Sequence, residues 1–215
     1  DSIALEAGAG LLDYFFFGGG EDHQMPQVLQ RYAELTGLPP LWPKWAYGYH
    51  MSRWSYTQDQ IEELVDRFRA EQIPVDAVYM DIDYMDQTPH TGFTNGEYYD
   101  NQLIQLTTND VFVPEPSRLF SHADSNNYQL VPLIEAWLTI EDPKFSFAES
   151  NDYFIEDNQG NNVVTELFFG NASWLDFTDP QAVNWWDGQV RNFLNQYPFD
   201  GIWNDLNEPA DWRDT

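Results

Sequence analysis

The sequence predicts an α/β fold built as a (β/α) barrel, and three observations carry that prediction. Apolar and amphipathic stretches alternate as strand, helix, strand, helix, strand, helix, strand, the pattern of a parallel sheet. Links after helices are short and links after strands are long, an asymmetry that favours a barrel. Three of the apolar stretches end in an acid: Asp81, Glu135 and Asp205. Strand C-termini converge on the mouth of a barrel, where its active site lies. An open doubly wound sheet gathers ligands at the same ends. For any one of these acids alone, capping a helix is an equally good use.

The elements follow in order. "WAYGYHM", 45–51, is aromatic and uncharged and reads as a buried strand. In the next segment Thr57 and Gln60 make a capping-box pair, Ile61, Leu64, Val65 and Phe68 recur at helical spacing, and Pro74 ends the helix. "VDAVYMDID", 75–83, is the second strand. Residues 84–114 lack periodicity and read as a long excursion with short strands of its own; loops of that length are usually functional or mobile. A short helix around "EPSRLFSHADSNN" turns Leu119 and Phe120 inward, and "YQLVPLIEAWL", 128–138, is the third strand. A second excursion, 139–176, contains "EDNQGNN" as a hairpin-like turn. Asp179 then caps, and Pro180 opens, a helix with Val183, Trp186, Val190, Phe193, Leu194 and Tyr197 on its apolar face. "DGIWND" is the fourth strand.

Composition narrows the function. With 36 acidic against 9 basic residues and a net charge of -27, the chain lacks the basic footprint that nucleic acid requires, and anionic membrane surfaces are disfavoured for the same reason. Such an acid excess suits a salty medium whose counterions screen self-repulsion. Aromatics at 17% suit stacking on sugar rings, although core packing is the better use of any single one. Cysteine is absent, which excludes disulfides, zinc–thiolate sites and a thiol nucleophile. "GLLDYFFFGGG" is too short to span a bilayer and carries Asp13. The chain opens on Asp1 rather than Met, which leaves export open.

Convergent carboxylates among aromatics suggest glycoside chemistry, in which one carboxylate attacks the anomeric carbon or activates water and another protonates the leaving oxygen. The sequence has no phosphate loop, no G-x-G-x-x-G turn and no H-E-x-x-H helix. His23, His50, His90 and His122 are scattered as ordinary surface or core residues. "NAS", 171–173, fits a glycosylation acceptor, a pattern that also arises by chance. The competing use of clustered acids is a hard cation. "DIDYMD" and "EDNQGNN" each match part of a calcium loop, yet neither has the full spacing to a bidentate Glu, so no metal and no cofactor is expected.

Four stretches in chain order, "WPKWAYGYHMSRWSY", "IPVDAVYMDIDYMD", "LDFTDPQAVNWW" and "DGIWNDLNEP", resemble the motifs of glycoside hydrolase family 31, the retaining α-glucosidase family. "DYFFFGGG" is similar to the end of that family's N-terminal β-sandwich. The resemblance implies that residues 1–40 end the sandwich region and link into the barrel. Residues 41–215 would then form the first half of a (β/α)8 TIM barrel, about four β/α units with long loops after the strands and an insertion near 94–114. It implies a double displacement on nonreducing-end α-glucosides of an α-glucan or oligosaccharide, with Asp205 as nucleophile. Asp81 would bind hydroxyls of the terminal glucose with Ile82 beside it, Trp54 and Trp203 would line the same subsite, and Glu208 would orient its neighbours.

Three departures bear on specificity. Glu135 stands at the strand end where Asp-Pro is common, and Trp137 adds bulk near the subsite. In "LFFG", 167–170, Phe168 takes a substrate-lining position usually held by a Trp-Pro-Gly pattern, and the stretch 94–114 is extra. The family's general acid/base is an Asp on a later strand, and this chain ends at Thr215 after its fourth. The resemblance therefore implies a half barrel that needs the remainder of the catalytic domain and is inactive alone. A transglucosylase shares the same first step. A noncatalytic carbohydrate-binding fragment is the alternative from another class, and the retained Asp81 and Asp205 speak against it, since binding needs no nucleophile.

Overall fold

A computed structural model of the chain describes residues 13–20, 24–88, 102–167 and 170–210. His23, His90, Phe168 and the 94–101 part of the expected insertion lie outside them. Two compact units divide after Trp42. In the first, Pro26 opens helix α1 (Met25–Thr36), which the sequence analysis did not anticipate and which buries none of its residues. Phe17 meets the edge of Tyr32 at 5.5 Å, and the Arg31 guanidinium donates to the Gly18 carbonyl.

The second unit runs β1 (His50–Met51), α2 (Gln58–Ala70), β2 (Ala77–Met80), β3 (Asp86–Thr88), β4 (Gln102–Ile104), α3 (Pro116–Asn126), β5 (Gln129–Ile134), β6 (Trp137–Thr139), α4 (Phe145–Ser150), β7 (Val164–Leu167), β8 (Gly170–Trp174), α5 (Pro180–Gln196) and β9 (Trp203–Asn204). Strands β1, β2, β5 and β9 pair in that order, all parallel, with α2, α3 and α5 as the crossovers. This is a partial (β/α) barrel of four units. Val78, Met80 and Leu130 face the helices and are buried with Ile61 and Val65 of α2 and Leu119 of α3 in one core.

The helices form where local chemistry closes their ends. At α2 the Gln60 N–H donates to Thr57 Oγ1 at 3.3 Å and the Thr57 N–H donates to Gln60 Oε1 at 3.1 Å, the anticipated capping box. Asp179 Oδ1 accepts from the Gln181 N–H at 2.9 Å and starts α5. The C-terminus of α3, turned at left-handed Asn127, is closed by Arg69 of α2, which donates to the carbonyls of Asn126, Asn127 and Val75. Two acids register the sheet: Asp76 Oδ2 accepts the Tyr49 N–H and Asp200 Oδ2 the Leu130 N–H, each at 3.0 Å.

Two strand expectations are corrected. Residues 44–47 form a 3-10 turn, and only His50 and Met51 pair in the sheet, with Tyr47 and Tyr49 exposed. An aromatic run cannot distinguish a strand from an aromatic-lined turn. Gly48 completes the turn because a Cβ there would collide with the Asp76 carboxylate. The stretch 128–138 is two strands. Ala136 breaks it by donating its N–H to Asn207 Oδ1 at 2.8 Å, and Trp137 then enters an antiparallel sheet ordered β6, β8, β7.

The excursions after the second and third barrel strands pack on each other. In the first, β3 pairs antiparallel with β4; Thr139 of the second donates its hydroxyl to the Leu103 carbonyl at 2.9 Å. The turn at Asp157 closes as a hairpin-like bend, and its carboxylate is occupied by the N–H groups of Gln159 and Asn161.

Candidate active site

Register places the acids. Tyr79 lies opposite Val131 and Leu133 opposite Trp203, so with side chains alternating along each strand, Tyr79 and Asp81, Leu133 and Glu135, and Trp203 and Asp205 share one face. His50, opposite Ala77, joins them. On that face His50 stacks on Tyr79 at 5.6 Å, and Tyr79 meets Trp203 edge-on at 5.9 Å. Three carboxylates thus rise from three neighbouring strands above an aromatic floor.

Their electrostatics follow from burial. Glu135 is 1% exposed, and burial pushes its carboxyl up to about 8, with the Asp205 charge adding to the rise; the Gln105 amide and the Trp137 indole oppose it, and Asp81 adds to it again. Asp81 is raised by burial, restrained by the Ile82 N–H that its Oδ1 accepts at 2.8 Å, and raised further by Asp205. Asp83, 3% exposed, is carried up to about 6 by burial, with the neighbouring Ser55 and Trp54 side chains opposing and Asp81 reinforcing. Tyr84, buried with its hydroxyl donating to the Leu133 carbonyl at 2.7 Å, is also pushed up by burial and by Glu135. Among the described residues no Lys, Arg or His lies within ion-pair distance of Asp81, Asp83, Glu135 or Asp205. No group of three or more potential metal ligands occurs among those residues either.

The other expected site residues divide by exposure. Trp54 is half exposed and Trp203 half buried, both available to a flat ligand, whereas Ile82 and Trp137 are buried. Trp137 meets the cluster at Glu135, whose charged form its indole favours. Glu208 is exposed, and its neighbour Asn207 makes the bond that turns the chain at Ala136. Asp83, Gln105 and Asn207 join the site without having been singled out by motif or spacing. Asp83 was legible as the second acid of "DID"; Gln105 and Asn207 act through contacts 30 and 71 residues away in sequence.

A cleft of about 740 Å³ lies against this cluster without being centred on it. Its lining includes Ile134, Ile202 and Asn204 of the sheet's other face and Val183, Trp186 and Val190 of α5, and it meets the rim at Glu135 and Asn207. Packing around the carboxylates, rather than cavity size, marks the site. No helix among the described residues is long and apolar enough to cross a membrane.

Comparison with known proteins agrees with this geometry. The profile of the glycosyl hydrolases family 31 TIM-barrel domain matches residues 39–215. An α-glucosidase 2 of Bacillus thermoamyloliquefaciens is 32% identical over 219 residues, covering 100% of this chain and 25% of that protein. An α-glucosidase of Saccharolobus solfataricus is 33% identical over 193 residues, covering 89% and 26%. The chain thus spans about a quarter of the length of these relatives. In fold it is similar to a glucosidase II α subunit, with TM-score 0.73 and 23% identity over 86% of this chain and 19% of that one. A Flavobacterium johnsoniae dextranase complexed with glucose gives TM-score 0.71 and 24% identity over 87% and 22%. The chain belongs to glycoside hydrolase family 31, and its strands and helices are a part of that family's TIM barrel.

Proposed function

We propose that the protein carrying this segment is a retaining α-glucosidase that releases glucose from the nonreducing ends of α-glucans or α-gluco-oligosaccharides, with Asp205 as its nucleophile. The observation that carries the reading is the position of Asp205 at the end of the fourth barrel strand, beside Asp81 and Glu135, in a family whose similar members are named α-glucosidases. A carboxylate oxygen of Asp205 bonds to the anomeric carbon as the glycosidic C–O bond breaks. The departing oxygen takes a proton from an acid on the rest of the barrel. Water, giving its proton to that same group, then displaces Asp205 and releases glucose with its configuration retained.

Asp81 accepts hydrogen bonds from hydroxyls of the terminal glucose, and Trp54, Trp203 and Phe168 enclose its ring. Ile82, Trp137 and Glu135 shape the pocket from behind, and Glu208 orients the loop that follows the nucleophile. Residues 1–40 lead from an N-terminal β-sandwich region into the barrel, and the stretch 94–114 is an insertion on the barrel's rim. The 215-residue segment by itself is expected to leave maltose intact, because the proton donor belongs to the remaining strands.

The test is incubation of the full-length protein with 5-fluoro-α-glucosyl fluoride, followed by peptide mapping by mass spectrometry. A fluoroglucosyl adduct on the peptide containing Asp205 is expected. An adduct elsewhere, with turnover intact, would reject Asp205.

A further inference from the structure

We propose that Gln105 is a positioning residue for this reaction, holding Glu135 in one orientation beside Asp205 and thereby tying the excursion after the second barrel strand into the site. The proposal rests on the α-glucosidase reading for its kinetics but on geometry for its substance. Gln105 follows β4 directly and is fully buried. Its side chain brackets Glu135 from both ends: Oε1 accepts the Glu135 N–H at 3.3 Å, and Nε2 lies 3.5 Å from Glu135 Oε2. A primary amide can do both at once because it carries an acceptor and a donor on one plane.

The backbone of Gln105 is held just as firmly. Its N–H donates to Asp142 Oδ2 at 3.0 Å and its carbonyl accepts from Lys144 Nζ at 2.9 Å, while Lys144 and Asp142 pair at 2.9 Å with the Asp142 side chain fully buried. Two side chains of the second excursion thus fix the Gln105 backbone, and the Gln105 amide fixes one carboxyl. That carboxyl needs fixing: its Oε1 is buried, and the remaining groups that face it are the acids Asp81 and Asp205, the Tyr84 phenol and the Trp137 indole. Without the Gln105 amide its orientation beside Asp205 is no longer held.

Gln105→Met keeps the side-chain volume and removes the amide. In the full-length enzyme we expect kcat to fall about tenfold to a hundredfold with KM for maltose changed less than about threefold, the signature of a displaced catalytic constellation. The infrared C=O band of the neutral Glu135 carboxyl, identified by its loss in Glu135→Gln, is expected to titrate at higher pH in Gln105→Met, because the amide no longer supports the charged form. Lys144→Met, which reaches Gln105 only through its backbone carbonyl, is expected to lower kcat less. An unchanged kcat overturns the proposal. So does a lower kcat with an unaltered Glu135 band, which would mean that Gln105 is merely structural. Should the parent enzyme prove inactive on α-glucosides, the functional reading fails, and the band alone decides whether Gln105 governs Glu135.

Discussion

The outer helical layer and the inner rim of this half barrel treat acids in opposite ways. Outside, Arg118 of α3 contacts Asp59 and Glu62 of α2 and its own Glu115, His122 pairs with Asp66, and Arg191 pairs with Asp187. At the rim, Asp81, Asp83 and Glu135 are withdrawn from water with no cation in reach among the described residues, and Asp205 raises two of them further. Burying a carboxyl without a partner costs stability unless it keeps its proton. The outer acids keep the chain soluble and register its helices, whereas the rim tolerates electrostatic strain that folding alone would remove. Strain concentrated where three strands end is the mark of a site shaped by chemistry.

The sharpest way to break this contrast is Asp205→Asn. In the full-length enzyme, activity on maltose should fall by at least ~10⁴-fold, as is typical when a nucleophile is removed. The same change removes a charge that raises both Glu135 and Asp81, so the variant should melt at a higher temperature than the parent near neutral pH. A variant that stays active, or that loses stability along with activity, would place Asp205 among structural acids.

Glu135 sharpens the contrast through pH. Its carboxyl holds a proton to about 8 in the folded protein against 4.5 in the unfolded chain. Its contribution to stability is therefore complete below pH 4.5 and is lost as pH rises to about 8. The loss is ~1.4 kcal/mol for each unit that separates the two states. Asp83 adds a smaller fall of the same sign between 3.8 and about 6. Glu135→Gln keeps the shape and removes the titration, so melting temperatures of variant and parent, measured across that range, should diverge in favour of the variant as pH rises. Parallel curves would show that Glu135 is charged in the fold.

How much of this was legible beforehand also differs between the two regions. The outer layer is local: Thr57 and Gln60 sit three residues apart, Ile61 and Val65 four, and Asp179 precedes Pro180, so caps and faces could be read directly from spacing. The parallel order followed from alternation, and the acids at strand ends followed from barrel geometry. The rim beyond them is nonlocal. Nothing near Gln105 points to Glu135, nothing near Asn207 points to Ala136, and the run 128–138 is apolar enough to hide the break between β5 and β6. The burial of Trp137, expected to line the subsite, depends on the β6–β8 pairing, which is likewise set by residues far apart in the chain.

Predictions for the outer layer are smaller. Thr57→Ala removes the acceptor for the Gln60 N–H and should cost ~1 kcal/mol, read as a fall of ~2–4 °C in melting temperature, with kcat unchanged. An effect on kcat would show that α2 transmits strain to Trp54, three residues before the cap.

The smallest effect is expected at Arg118, although it gathers three acids. Its guanidinium and two of its three partners stand in solvent, where attraction is screened and holding long side chains in place offsets much of the gain. Arg118→Ala should leave the melting temperature and kinetics of the full-length enzyme nearly unchanged in 0.15 M salt, with a deficit emerging only as salt is lowered, when the uncompensated Asp59, Glu62 and Glu115 repel one another. A deficit equally large at high salt would mean that the stem of Arg118 packs the α2–α3 seam. Ion pairing would then not be what distinguishes the outer acids from those at the rim, and their exposure to water alone would account for the difference.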